Sequence, residues 1–249
     1  MTRLHDSTKT RVIPLFKFFS GDITKVNKLL SLLSEPNKVL LSDNNLIIRY
    51  GTNEMTIPPT KKLLNWCIEN LPLLMIPKNY GVKPNSETYN KRDILFNGDA
   101  NTKSNSKSEA INLLHQNKLP KWYIFEGYTH PDIYIETEDT IIVGEAKRIE
   151  PKLTNSTHWL KNRDQLIRHV DSIIDNGKKV YSFLIISEDK ISAYKLESYN
   201  NLSYYKQSLP HRNDMEIEKI KNTYLGYTTW EEIQNAFGIN FPDTVLDSQ

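Results

Sequence analysis

Two carboxylates and a lysine stand out in this sequence because of their residue types and their spacing. Asp132 is followed by Glu145 and Lys147, and the residues between them form two largely apolar runs around Glu138-Asp139. This pattern predicts two antiparallel strands joined by a tight turn. Carboxylate oxygens are the ligands that Mg²⁺ prefers, and a neighbouring ammonium group suits a negatively charged substrate.

The position of the turn predicts the register of the two strands. With Glu138 and Asp139 at its centre, the count along the strands places Asp132 directly opposite Glu145. Directly opposed residues have Cβ atoms about 4.5–5.5 Å apart, and Lys147 projects from the same face as Glu145. Opposed carboxylates repel one another unless a cation lies between them. The register therefore predicts a divalent-metal site, in which Lys147 positions or deprotonates water or stabilises a phosphate.

An ion-pair cluster is the alternative interpretation of these three charges. In it, Lys147 would only neutralise the two carboxylates, and such surface clusters are common and weak. That interpretation does not explain why three charges end the most apolar hairpin of the chain on one face. We also expect Gly144, just before Glu145, to leave room for a close approach at the site.

The spacing of these residues resembles a known nuclease motif. Pro131-Asp132, twelve intervening residues and Glu145-Ala146-Lys147 resemble the PD-(D/E)xK nuclease superfamily, which has the restriction-endonuclease-like fold. The resemblance covers about residues 105 to 190. It implies a Mg²⁺- or Mn²⁺-dependent hydrolase of DNA phosphodiester bonds, an endonuclease of the restriction or defence type. Asp132 and Glu145 would bind the metal, and Lys147 would assist water or phosphate.

The same resemblance indicates supporting residues. The helix before the first strand often supplies another acidic residue to the metal, and Glu109 matches that position, although Ser106-x-x-Glu109 also fits a helix capping box. Glu126 is the rival acidic candidate. In nucleases of the RecB type, the helix after the motif carries Gln-x-x-x-Tyr facing the site. Gln165 takes the glutamine position here, and His169 stands where tyrosine would be.

The order of the predicted elements indicates an α/β fold. After a polar loop at 97–108 we expect a helix, strands in WYIFEG, DIYIET and TIIVGEAK, a helix from about 156 to 175 and a buried strand at 180–187. This order predicts a central mixed sheet of at least four strands, with helices on both faces. The resemblance makes this a restriction-endonuclease-like core.

Three regions follow from this reading. We expect an N-terminal α+β region over 1–96, with a role in specificity or dimerisation, a nuclease core over 97–205 and a C-terminal extension over 206–249. In the extension, Thr229-Trp-Glu-Glu232 fits a capping box that opens a short helix ending at Gly238.

Composition limits the class of protein. Of 249 residues, 38% are hydrophobic and 25% charged, and no apolar run approaches the length that crosses a bilayer. The single Cys67 permits no internal disulfide, and no signal peptide is evident, so we expect a cytoplasmic protein without a membrane partner. Net charge is +2, but the stretch from Lys147 to Lys179 is locally basic and suits phosphates.

The expected partner is nucleic acid, with DNA favoured, and cutting both strands of a duplex would favour a homodimer. Two other classes stay open. One is a nuclease-like fold that acts as a non-catalytic DNA-binding or assembly module. The other is a structural subunit whose N-terminal region docks a partner protein.

Overall fold

The computed structural model describes residues 6–35, 39–42 and 45–244 of the chain. Within them the chain forms two compact units. The sheet unit comprises the described residues of Met1–Ile57, Thr129–Thr154 and Asp164–Gln249, and the helical unit comprises Pro58–Tyr128 and Asn155–Arg163. Both units are discontinuous, so this division does not follow the boundaries expected after residues 96 and 205.

A mixed sheet forms the centre of the sheet unit. Its strands, which are neighbours in chain order, are β1 (Ile47–Tyr50), β2 (Ile133–Glu136), β3 (Thr140–Ala146), β4 (Lys179–Ile186) and β5 (Tyr224–Thr229). The first three strands are antiparallel to one another, whereas β4 is parallel to β3 and β5 is parallel to β4. The predicted α/β class with a mixed sheet of at least four strands is confirmed.

Helices cover both faces of this sheet. The α-helices of the described residues are α1 (Ile13–Phe19), α2 (Ile23–Ser31), α3 (Lys61–Glu69), α4 (Glu87–Asn97), α5 (Ala100–His115), α6 (Gln165–Ile173), α7 (Leu202–Ser208), α8 (Asp214–Lys221) and α9 (Trp230–Phe237). One apolar core joins the sheet to α1, α2 and α9, and the other joins it to α6, α7 and α8. Because strand side chains alternate, Ile142 and Ala146 lie in the first core and Val143 in the second.

Gly144 serves packing and not the site. It shares its face with Ile142 and Ala146, opposite to the face of Glu145. A Cβ built on Gly144 would lie 2.6 Å from the Phe183 ring on the neighbouring strand. The expectation that Gly144 opens the site was therefore wrong: its missing side chain makes room for Phe183 on the α1, α2 and α9 face.

The helical unit contains α3, α4 and α5 around its own apolar core, in which Cys67 is buried. The predicted WYIFEG strand was wrong, because this segment forms only a short 3₁₀ turn at Lys121–Tyr123. The backbone carbonyls of Lys121, Trp122 and Ile124 accept hydrogen bonds from the buried Arg92 guanidinium. The segment therefore satisfies its backbone through Arg92 and not through a sheet.

The polar segment at 97–108 was also misassigned as a loop. α5 already begins at Ala100, where the Asp99 side chain accepts hydrogen bonds from the backbone N–H groups of Asn101 and Thr102. An aspartate cap is sufficient to start a helix in a polar sequence. Ser106 lies inside this helix and is buried, so the Ser106 capping box does not exist.

The helix after the motif is shorter than predicted. α6 begins at Gln165, because the side chain of Asp164 accepts a hydrogen bond from Ile167 N and ends the preceding loop. Residues 156–163 are therefore not helical. Trp159 and Leu160, which fall within the predicted helix, lie in the core of the helical unit.

The chain leaves the sheet unit twice and returns to it twice. Each time, the last residue before the excursion is hydrogen-bonded to a residue at the point of return. Ile57 and Thr129 form an isolated antiparallel bridge, with backbone N–O distances of 2.9 and 2.8 Å. At the second place, Gln165 N donates to Thr154 O at 2.9 Å.

The C-terminal prediction is confirmed. Thr229 and Glu232 form a capping box at the start of α9, and Gly238 ends the helix in the left-handed conformation, with φ of 65°. In the described part of the chain, no helix is long and apolar enough to span a bilayer.

Candidate active site

The predicted register between β2 and β3 is confirmed. Glu136 lies opposite Ile141 and Ile133 lies opposite Gly144. Asp132 directly precedes β2, and its side chain is hydrogen-bonded to that of Glu145, the residue after Gly144. The side chains of Asp132 and Glu145 lie on the face of the sheet that packs against α6.

The two carboxylates converge at this end of the hairpin. Asp132 Oδ2 accepts a hydrogen bond from Ala146 N at 2.9 Å, which holds Asp132 against the neighbouring strand. Burial and the adjacent Glu145 carboxylate raise the pKa of Asp132 to about 8. Glu145 is almost fully buried, and this burial raises its pKa as well. The unfavourable placement of the half-buried Asp132 carboxylate beside the buried Glu145 carboxylate is what a bound cation would relieve.

Lys147 lies on the same face and contacts this pair. Its ammonium group donates to Glu145 Oε1 and reaches Gln165 Oε1 at 3.5 Å. Burial lowers the pKa of Lys147, but the Glu145 and Asp132 carboxylates outweigh this effect and leave the pKa above its ordinary value. Lys147 therefore stays charged at neutral pH. Its backbone is fixed too, because its carbonyl accepts a hydrogen bond from Trp230 Nε1 at 2.9 Å.

Gln165 and His169 both face the site from the first turns of α6. The start of this helix is rigidly held, because Asp164 also accepts hydrogen bonds from the hydroxyls of Tyr199 and Tyr204, at 2.9 and 2.8 Å. The four-residue spacing seen in the sequence thus carries both polar side chains to one face of the helix. His158 and Asn162, which fall within the predicted helix from about 156 to 175, lie in the loop before α6.

His169 contacts the oxygen of Glu145 that Lys147 does not contact. It is fully buried, and its Nε2 lies 2.9 Å from Glu145 Oε2. Its Nδ1 lies 2.6 Å from the hydroxyl of Thr129, which in turn accepts a hydrogen bond from Arg168 Nε at 3.1 Å. Burial, followed by the Arg168 charge, lowers the pKa of His169 to about 3, so the ring is neutral.

These contacts decide which nitrogen of His169 carries the proton. With Glu145 ionised, its oxygens can only accept, so His169 Nε2 carries the ring proton and donates it to Glu145. Nδ1 then has no proton and accepts the hydrogen bond from the Thr129 hydroxyl. One oxygen of Glu145 is occupied by His169 and the other by Lys147, so the orientation of the carboxylate is fixed from two sides.

Removing the Thr129 hydroxyl tests this chain of hydrogen bonds. We expect Thr129→Val, which keeps the side-chain shape, to lower the free energy of unfolding by about 1–3 kcal/mol, because it leaves His169 Nδ1 buried without its donor. Urea unfolding measures the loss. Thr52→Val at an exposed position is the control and should change little. Equal stability of the two variants would contradict the assignment.

Glu54 is an acidic neighbour of the site that sequence reasoning missed. Burial, followed by the charges of Asp132 and Glu145, raises the pKa of Glu54 to about 7. The reason for its position is the pairing of β1: Tyr50 lies opposite Ile133, so the chain after Tyr50 runs past the end of β2 that carries Asp132. Nothing local in the sequence predicts that pairing.

Two other acidic candidates lie in the helical unit. Glu109 is exposed on α5, and its carboxylate pairs with Lys91 at 2.7 Å. Its role at the metal stays a prediction. Glu126 is buried and forms a two-pronged ion pair with Arg163, with both N–O distances at 2.9 Å. That pairing gives Glu126 a structural role.

The donor set of the site is therefore a pair of carboxylates. Among the described residues, no group of three or more His, Cys, Asp or Glu side chains is arranged to hold a metal. Two carboxylates nevertheless fit Mg²⁺, which usually keeps several waters and binds proteins through one or two carboxylates together with substrate phosphates. Asp132 and Glu145 supply that pair.

Comparison with family models, curated proteins and solved structures gave no match to this chain.

Proposed function

We propose that this protein is a divalent-metal-dependent nuclease that hydrolyses DNA phosphodiester bonds, as an endonuclease. The observation that carries the proposal is the convergence of Asp132 and Glu145 at opposed strand positions, with the charged Lys147 on the same face. Burial of the Glu145 carboxylate beside Asp132 favours a bound cation, and the charged Lys147 on the same face favours a phosphate group near that cation. A phosphodiester bound through Mg²⁺ supplies both.

In this proposal Asp132 and Glu145 hold Mg²⁺ or Mn²⁺. When bound, the metal supplies Lewis acidity at the phosphoryl oxygen and charge neutralisation at the leaving oxygen. His169 keeps the Glu145 carboxylate turned toward the ion. The hydrogen bond from Ala146 N would likewise hold Asp132 in place as a ligand.

Lys147 has the electrostatic role. A group whose pKa is raised keeps its proton at neutral pH and does not act as the base that takes a proton from water. Its ammonium group instead compensates the negative charge that grows on the phosphate oxygens in the transition state. Gln165, whose side-chain oxygen faces Lys147, holds that ammonium group in position.

The test is cleavage by the full chain. Supercoiled plasmid, linear duplex, single-stranded DNA and RNA are incubated with the protein in Mg²⁺, Mn²⁺ or EDTA. We expect nicking of DNA that needs the metal and that falls by about 10²-fold or more in Lys147→Met, which keeps the chain length and removes the charge. Lys190→Met, in the surface turn Glu188-Asp189-Lys190, is the matched control with full activity.

The outcomes separate the classes of function. Cleavage that survives EDTA, or that Lys147→Met leaves unchanged, would mean that these residues are not the active site. If the protein binds Mg²⁺ by calorimetry but cleaves none of the four substrates, a non-catalytic binding module is the better description.

A further inference from the structure

The positive charge of the chain is concentrated in the helical unit. Its two segments contain twelve Lys and Arg residues and six Asp and Glu residues, a net charge of +6. The three segments of the sheet unit contain twenty basic and twenty-four acidic residues, a net charge of −4. The near-neutral net charge of the chain is therefore the sum of a basic unit and an acidic unit.

The basic stretch noted between Lys147 and Lys179 does not explain this asymmetry. In the structure most of its side chains are buried or paired, and two further exposed lysines lie in different units, Lys152 in the sheet unit and Lys161 in the helical unit. Lys147 is buried at the site, Arg163 is buried against Glu126, and Lys178 pairs with Glu136 at 2.8 Å. A surface that attracts phosphates must be sought elsewhere.

Contacts inside the helical unit bring lysines from separate elements together. The ammonium group of Lys61, at the start of α3, donates to the side chain of Asn117, beside Lys118. The hydroxyl of Tyr123 donates to the backbone carbonyl of Lys118, which brings the turn containing Lys121 to the same place. We call Lys61, Lys118 and Lys121 the lysine surface.

The lysine surface is exposed and lacks compensating acids. All three side chains are exposed, and among the described residues none has a carboxylate within ion-pair distance. Lys91, in the same unit, lies over the Trp122 ring at 5.0 Å and binds Glu109. Three like charges on neighbouring segments, none of them paired with an acid in the described part of the chain, create a local positive potential that attracts a polyanion.

We infer that the lysine surface binds the phosphate backbone of nucleic acid, independently of base sequence. This inference rests on the proposed nuclease function, whose substrate it would hold. The sheet unit, with its net charge of −4, would repel a polyanion without such a surface. Lysine contacts to phosphates position a duplex but read no bases, so the expected binding is strong at low salt and indifferent to sequence.

Binding is measured by fluorescence anisotropy of a fluorescein-labelled duplex and of a single strand of equal length, with the full chain in EDTA. The variant is Lys61→Gln with Lys118→Gln and Lys121→Gln. Each released phosphate contact contributes about 0.9 to the slope of log affinity against log salt, so we expect the slope to fall by about 2–3 and the affinity at low salt to fall at least tenfold.

A control variant separates local from overall charge. Lys195→Gln, Lys206→Gln and Lys221→Gln remove the same charge from the sheet unit and should leave the slope unchanged. If both triple variants lose affinity equally, or if neither does, the lysine surface is not the binding site. Thermal unfolding of both variants verifies that they are folded.

The same measurements distinguish failure of this inference from failure of the proposed function. If the wild type cleaves DNA and the lysine-surface variant binds as tightly as wild type, the inference is overturned and the proposed nuclease function is kept. A wild type that binds through these lysines but never cleaves supports the surface and overturns the nuclease. A wild type with no affinity for either probe at low salt overturns the inference.

Discussion

Asp132→Asn is expected to lower metal-dependent cleavage by at least about 10³-fold, because it removes one of the two charged ligands and with it several kcal/mol of transition-state stabilisation. Asparagine has nearly the same shape as aspartate, and its carbonyl can still accept the hydrogen bond from Ala146 N. The loss would therefore report the charge and not the position of the strand. Calorimetric titration with Mg²⁺ should show the parallel loss of metal affinity.

The same substitution should stabilise the metal-free protein. At pH 9, above the pKa of about 8 to which burial and the adjacent Glu145 raise Asp132, the Asp132 carboxylate of the wild type is ionised, and repulsion from Glu145 disfavours that charge. The introduced amide would remove that repulsion and can donate to Glu145, so the melting temperature should rise by more than about 2 °C. Asp189→Asn, at an exposed position, is the control. A variant that loses both activity and stability would indicate a structural role for Asp132.

The largest expected effect on stability lies in the helical unit. Arg163 and Glu126 are each only 1% exposed at their side chains and form a two-pronged ion pair. Arg163→Met would leave the Glu126 carboxylate buried without its partner, which typically costs about 3–5 kcal/mol. Urea and thermal unfolding of the full chain measure the loss.

Two controls define the origin of that loss. The double variant Glu126→Leu with Arg163→Met removes both charges and should recover most of the stability, because two well-packed apolar side chains replace a buried pair at little cost. Lys179→Met breaks a largely exposed ion pair with Asp139 and should cost less than about 1 kcal/mol. A double variant as unstable as Arg163→Met would show that packing, not the uncompensated charge, is responsible.

The parts of the site that the sequence predicted correctly are those determined locally. A tight turn between two apolar runs determines which residues face each other, so the opposition of Asp132 and Glu145 could be counted from the turn. The four-residue spacing of Gln165 and His169 is likewise a property of one helix. The α/β class followed from the order of strands and helices.

The parts that the sequence did not predict depend on distant segments. Glu54 approaches the carboxylates only because β1 pairs with β2, and Thr129 meets His169 only after the chain has folded. The aromatic WYIFEG segment has a strand-like composition, but its backbone carbonyls accept hydrogen bonds from Arg92 and not from a neighbouring strand. In each case a contact with a residue distant in the sequence determined the position or conformation, which the local sequence pattern does not specify.

The bridge between Ile57 and Thr129 makes the first segment of the helical unit an insertion into a hairpin. Their paired backbones have the spacing that a two-residue turn would close, and a single hydrogen bond from Gln165 N to Thr154 O joins the chain at the second crossing. Lengthening a loop whose ends already meet costs little entropy. Both excursions could therefore be exchanged for short turns, or for another segment, and the strands that carry Asp132, Glu145 and Lys147 would keep their connections.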